Sequence, residues 1–226
     1  MIRRLLLFIG PFFLLATTAF GADFKENLKD QLDKTDNRKQ LLRTQLNSST
    51  SSYQKAVISN FLGLEFQKEY ALDSAEYYHR NAYNLLKKGY SQHTEMAITL
   101  NKLGIVSIYT EDYKTAKSYF ERALKIFDVS VEKANSYNNL ALTEKYLGNP
   151  DKSIEAYSKA LSIFEKIGKN ASAVDVRLNI SGLHLAQGND SIALDQLKRA
   201  ESYAQKYGLY EQFYRAKSNM APIYRD

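Results

Sequence analysis

Leu103-Gly104-x7-Asp112-Tyr113-x2-Ala116-x3-Phe120-x2-Ala123-Leu124-x-Ile126-Phe127 is answered by Leu140-Ala141-x6-Gly148-Asn149-Pro150-x2-Ser153-x3-Tyr157-x2-Ala160-Leu161-x-Ile163-Phe164. Each key position of the second stretch lies 37 residues after its counterpart, from 104 to 141, 116 to 153, 120 to 157 and 123 to 160. An offset held over so many positions is an internal repeat. Its physics is that of two antiparallel helices in close contact. Helix A carries a small residue where helix B crosses it (Gly104, Ala141), and helix B answers with Ala116 or Ser153 and Ala123 or Ala160. The rings of Phe120 and Tyr157 are expected to fill the space between one hairpin and the next. Such a hairpin cannot bury its own apolar face, so copies must stack.

The register extends both ways. Leu62-Gly63, Ala75 and Ala82 precede their counterparts by 41 residues, with His79 in the Phe120 slot. Ile180-Ser181, Gly188-Asn189, Ala193, Leu197 and Ala200 follow the second stretch by 40. Four repeats result, at about 53–89, 93–129, 131–168 and 171–208, and Met220-Ala221 opens a partial fifth over 209–226.

These residues resemble the tetratricopeptide repeat, in which a small residue, an aromatic and a second small residue recur with a period of about 34. The resemblance implies an all-α, right-handed α-solenoid of helical hairpins, with about four repeats, an N-terminal cap and a final helix. The spacing of 37 to 41 implies extended helices or longer links, similar to kinesin light chain or bacterial peptide-sensing regulators.

The predicted helices are A1 (53–70), B1 (73–88), A2 (93–110), B2 (113–127), A3 (131–147), B3 (150–167), A4 (171–187), B4 (191–207) and A5 (210–224). Gly89, Gly168 and Gly208 follow B helices and suit a left-handed residue past a helix end. Pro150 suits the first turn of B3, where its missing N–H costs no bond. Upstream, 22–52 forms a cap and linker. Phe24, Leu28, Leu32, Leu41 and Leu42 predict one helix or two short ones around Thr35-Asp36, and 47–52 is a polar stretch suited to N-capping.

Residues 1–21 are of different material. Arg3-Arg4 precedes an apolar run to Phe20, and Ala19-Phe20-Gly21 is a small-x-small cleavage site, the pattern of a secretory leader. The run from Leu5 to Phe20 is 16 residues with a proline, short of the roughly 20 needed to span a bilayer. The mature chain is therefore expected to be exported, periplasmic or secreted, without a membrane span. The sequence has no cysteine, which excludes disulfides and a lipid-modified cysteine. Without Arg3 and Arg4 the chain carries 29 basic against 25 acidic residues. That mild excess is scattered along helices, as a solvated face requires, and gives no footprint for nucleic acid.

Catalytic patterns are missing. His79, His93 and His184 have no ligand spacing, and no glycine-rich phosphate loop or nucleophile motif occurs. The expectation is a chain without enzymatic activity or cofactor.

In tetratricopeptide arrays the A helices line a concave groove. The resemblance points to Asn60 and Leu64 on A1, to Asn101, Ile105, Ile108 and Tyr109 on A2, to Asn138, Leu142, Lys145 and Tyr146 on A3, and to Leu178, Gly182 and Leu185 on A4. The neighbouring position holds Asn139, Asn179 and Asn219. An amide both donates and accepts, so such a row can pair with a peptide backbone whatever its side chains; equally, it can bond within the array. The two-lysine clamp for a C-terminal carboxylate is not evident, since Lys102 and Lys145 stand at different repeat positions. The resemblance implies a protein or peptide partner. It is similar to the extracytoplasmic repeats ahead of a membrane helix in bacterial sensor histidine kinases and related regulators. The alternative is a stand-alone exported scaffold for an envelope complex.

Overall fold

The computed structural model describes residues 22–224, and the expected leader at 1–21 lies outside the described residues. Every regular element among them is an α-helix: α1 (22–33), α2 (Arg38–Ser48), α3 (Ser52–Lys68), α4 (Leu72–Leu86), α5 (Thr94–Tyr109), α6 (Tyr113–Leu124), α7 (Val131–Tyr146), α8 (Pro150–Lys166), α9 (Asn170–Ala186), α10 (Asp190–Lys206) and α11 (Tyr210–Met220). The architecture is an α-solenoid of helical hairpins. Two compact units divide it, one ending at Thr99 and one starting at Leu100.

The repeat pattern has a direct steric cause. A Cβ on Gly104 would lie 2.6 and 2.7 Å from two carbons of the Phe120 ring, and a Cβ on Gly63 would fall equally inside the His79 ring. The rings therefore seat against the small residue of their own hairpin, rather than between hairpins as the sequence suggested. A glycine leaves an open patch of backbone that a flat ring can cover. The small residues of the B helices are equally constrained: Ala75, Ala116, Ser153 and Ala193, and then Ala82, Ala123, Ala160 and Ala200, are all completely buried. Ser153 keeps its hydroxyl satisfied there by donating to the Ala141 carbonyl across the hairpin at 2.7 Å.

Gly104→Ala will accordingly destabilise the second unit by about 1–3 kcal/mol, the usual cost of overpacking. Adding Phe120→Leu will recover part of that loss, because the two changes share one contact. Urea melts of the single and double variants check this, and strict additivity would contradict it.

In the first unit α1 and α2 lay Leu28, Leu32 and Leu42 against Val57, Ile58 and Leu62 of α3. In the second, Ala141, Tyr157, Ala160, Phe164, Val176 and Ile180 join α7, α8 and α9 in one core. Val174, Leu178, Leu197, Ala200, Ala216 and Met220 join α9, α10 and α11 in another.

Helix ends follow local chemistry. Ser51, Asp112 and Ser130 accept backbone N–H bonds from Gln54, Thr115 and Lys133, each satisfying an otherwise unpaired donor. At Gly148, Gly168, Gly188 and Gly208 the backbone is left-handed. The next residue's N–H bonds back five positions, as in Asn149 to Glu144 and Asn189 to His184, which closes the helix with its last carbonyls paired. Tyr70 and Glu111 adopt the same left-handed conformation without being glycine, at φ 57° and 59°.

Two predicted ends were too long. α6 stops at Leu124, where Ile126 N–H turns back to the Ala123 carbonyl, although Phe127 stays buried. α11 stops at Met220, because Pro222 brings no N–H to continue it.

Candidate functional site

The second unit contains an open cleft of about 420 Å³. Ile105, Ile108 and Tyr109 of α5 and Asn139, Leu142 and Tyr146 of α7 form its walls, and Glu111 and Tyr113, from the turn joining α5 to α6, close one end. The sequence dictates this assembly. Positions 105, 108 and 109 recur at helical spacing and share one face. The tight turn after Tyr109 then returns Tyr113 beside that face. The Tyr113 and Tyr146 rings stack at 4.8 Å with 18° between planes. Tyr109 and Tyr146 remain 52% exposed, a large exposure for such rings in a folded chain.

Chemically the cleft offers an apolar floor, three phenol rings, one amide and one carboxylate. Asn139 stands on the wall with its Nδ2 donating to Asn101 Oδ1 at 3.5 Å, so its amide is oriented. Glu111 is the one group among these walls that is ionised at neutral pH. Desolvation first, then the charge of Glu111 and the ring of Tyr146, hold the Tyr113 phenol above its ordinary range. Among the described residues no three His, Asp or Glu side chains gather as a metal site would need.

The predicted groove residues divide accordingly. Ile105, Tyr109, Asn139, Leu142 and Tyr146 meet in the cleft. Asn101 lies behind Asn139 as its acceptor. Asn138 is half-buried outside the walls, while Lys145 and Asn179 are exposed and also outside them. Asn60 is a correction. It is 2% exposed, and its Nδ2 donates to Glu95 Oε1 at 2.9 Å and Thr99 Oγ1 at 2.8 Å, while its Oδ1 lies 3.2 Å from His79 Nδ1. The capacity to donate and accept that suggested peptide binding is used instead to satisfy buried neighbours. Lys25 completes that cluster with an ion pair to Glu95 at 3.0 Å.

Glu111 and Tyr113 were missed by sequence reasoning. The available signal was the repeat itself, because Glu111 stands where the following hairpins have Gly148 and Gly188.

A buried ion pair braces the cleft from behind. Glu144 of α7 accepts from Lys117 of α6 at 2.8 Å and from Asn149 Nδ2 at 2.8 Å. Burial alone would raise the Glu144 pKa, but these hydrogen bonds and the Lys117 and Lys152 charges outweigh it and hold the carboxyl below the usual range.

Two family models, both described as tetratricopeptide repeat, match residues 97–128 and 132–206. The chain carries tetratricopeptide repeats. These repeats supply every helix that lines the cleft. No curated protein matches the sequence significantly. Among solved structures, the chain is similar to BtubC (BKLC) from P. vanneervenii, with a TM-score of 0.71 and 16% identity over 84% of this chain and 90% of that one. It is similar to RapI, with a TM-score of 0.70 and 15% identity over 89% and 83%. MamA follows at a TM-score of 0.60 and 22% identity over 86% and 96%. At such identities the likeness is one of fold.

Proposed function

We propose that this chain is a non-enzymatic interaction module that holds a peptide or an extended protein segment along its A helices. We further propose that it is exported and serves as the sensor part of a bacterial signalling system. The observation that carries the binding reading is the cleft of Tyr109, Tyr113 and Tyr146 over Ile105, Ile108 and Leu142. Half-exposed rings beside an oriented amide suit a ligand with both apolar surface and backbone polar groups. The expected leader at 1–21 supports export. Among the described residues no helix is long and apolar enough to cross a membrane.

Two experiments test this. Asn138→Ala with Asn139→Ala will leave the melting midpoint almost unchanged, because both side chains are only partly buried. The double variant will weaken peptide binding by about three- to tenfold, the worth of one or two hydrogen bonds. Unchanged affinity would return both amides to a role within the array. Fractionation of source cells with an antibody against 22–226 tests the sensor role. A band in the membrane fraction much larger than this chain supports a receptor, while a soluble envelope band of this chain's own mass favours the stand-alone scaffold.

A further inference from the structure

Three features of the cleft go beyond a general affinity for peptides. First, its volume of about 420 Å³ is at the small end for ligand sites, and so fits one or two side chains rather than a whole folded surface. Second, its one ionised wall is a carboxylate. No lysine or arginine among the described residues pairs with Glu111, whereas Glu144 close by is paired with Lys117. Third, Glu111 is held at φ 59°, a conformation that costs an ordinary residue about 1 kcal/mol or more. The corresponding turns of the next two hairpins have Gly148 and Gly188 there. Tyr70, its counterpart in the preceding hairpin, shares the conformation, so the backbone alone decides nothing. What sets Glu111 apart is that the turn delivers its charge to the end of an aromatic cleft.

Phenol rings present a negative face, and a cation placed over one within about 6 Å is attracted, increasingly so when water is excluded. A neutral apolar side chain would use the floor and the rings but leave the Glu111 carboxylate unanswered. An acidic side chain would be repelled by it. A lysine or arginine side chain answers all three features, with its aliphatic stem on Ile105 and Leu142, its cationic head between Tyr109 and Tyr146, and its charge facing Glu111.

We infer that the cleft is a pocket for a basic side chain of an extended peptide, with Glu111 selecting the charge and Tyr109 and Tyr146 holding the stem and head. This rests on the peptide-binding reading of the same cleft, and deepens it by naming the chemistry of the partner.

The test uses the purified full chain on immobilised hexapeptide pools, each with one fixed central residue (arginine, lysine, norleucine, glutamate) and random flanks. Arginine and lysine pools will retain the protein several-fold better than norleucine and far better than glutamate. Glu111→Gln will cut retention on the basic pools by about five- to tenfold, the worth of one partly desolvated charge contact, without changing norleucine. Tyr146→Leu will cut all of these, and Tyr77→Leu, at an exposed ring on α4, will cut none. Circular dichroism of each variant confirms that the helices persist. Binding of all pools alike, or a preference for glutamate, would overturn the basic-pocket assignment and leave peptide binding standing. Retention by no pool would overturn both.

Discussion

Ala123→Arg will abolish cooperative folding of the second unit, with a loss above about 4 kcal/mol. The position is completely buried, as are Ala82, Ala160 and Ala200 at the same place in the other hairpins. A guanidinium there has no route to water and no acceptor, so it adds the cost of a buried charge to the overpacking of a site that holds one methyl group. Circular dichroism and urea melting report the result. A variant that retained full helicity and a single cooperative transition would show that the register of the repeat is wrong, since Ala123 is one of the positions that define it.

Lys117→Met has the second largest expected effect and a distinctive pH dependence. The Lys117 ammonium is 29% exposed and the Glu144 side chain 5%, so the change removes the partner of a nearly buried carboxylate. Breaking a fully buried pair costs about 3–5 kcal/mol; with the partial exposure of Lys117 we expect about 2 kcal/mol at neutral pH. In the wild type the Glu144 pKa is lowered below its unfolded value. Its contribution is therefore complete above the unfolded value of about 4.3 and is lost as the pH falls through the lower folded value. In the variant burial acts without Lys117, and the carboxyl takes up its proton at higher pH. The stability gap between the two proteins will be widest near pH 7 and will shrink as the pH falls below about 4, where Glu144 becomes protonated in both. Urea melts at several pH values measure this. A gap of equal size throughout would mean that the cost of the substitution is lost packing of the lysine stem and not charge.

The fold was legible because its determinants are local or recur. Small residues at 63, 104, 141 and 181 and at 75, 116, 153 and 193 announce each helix crossing. Gly148-Asn149-Pro150 and Gly188-Asn189 mark turns whose left-handed residue the structure retains. The helix ends that were misjudged, at Leu124 and Met220, depend on how one turn folds back.

The site was legible only in part. Tyr109, Leu142 and Tyr146 followed from helical periodicity. Asn60 could not be placed correctly, because its partners Glu95 and Thr99 lie 35 and 39 residues away, and only packing reveals that they reach its amide. Glu111 and Tyr113 escaped for a different reason. A search of A-helix faces does not consider the turn that follows, and the turn supplies the cleft with its carboxylate and its third ring.

The central claim is that partners are held at the cleft between α5 and α7, and site-specific photocrosslinking tests it most directly. A photoreactive phenylalanine analogue would replace Tyr146 in the cleft or, as controls, Tyr77 on α4 or Tyr214 on α11, in the full chain expressed in its source cells. The account predicts a discrete higher-mass adduct from position 146, weakened by Glu111→Gln, and none from positions 77 or 214. Adducts of equal intensity from all three positions, or from the controls alone, would contradict it.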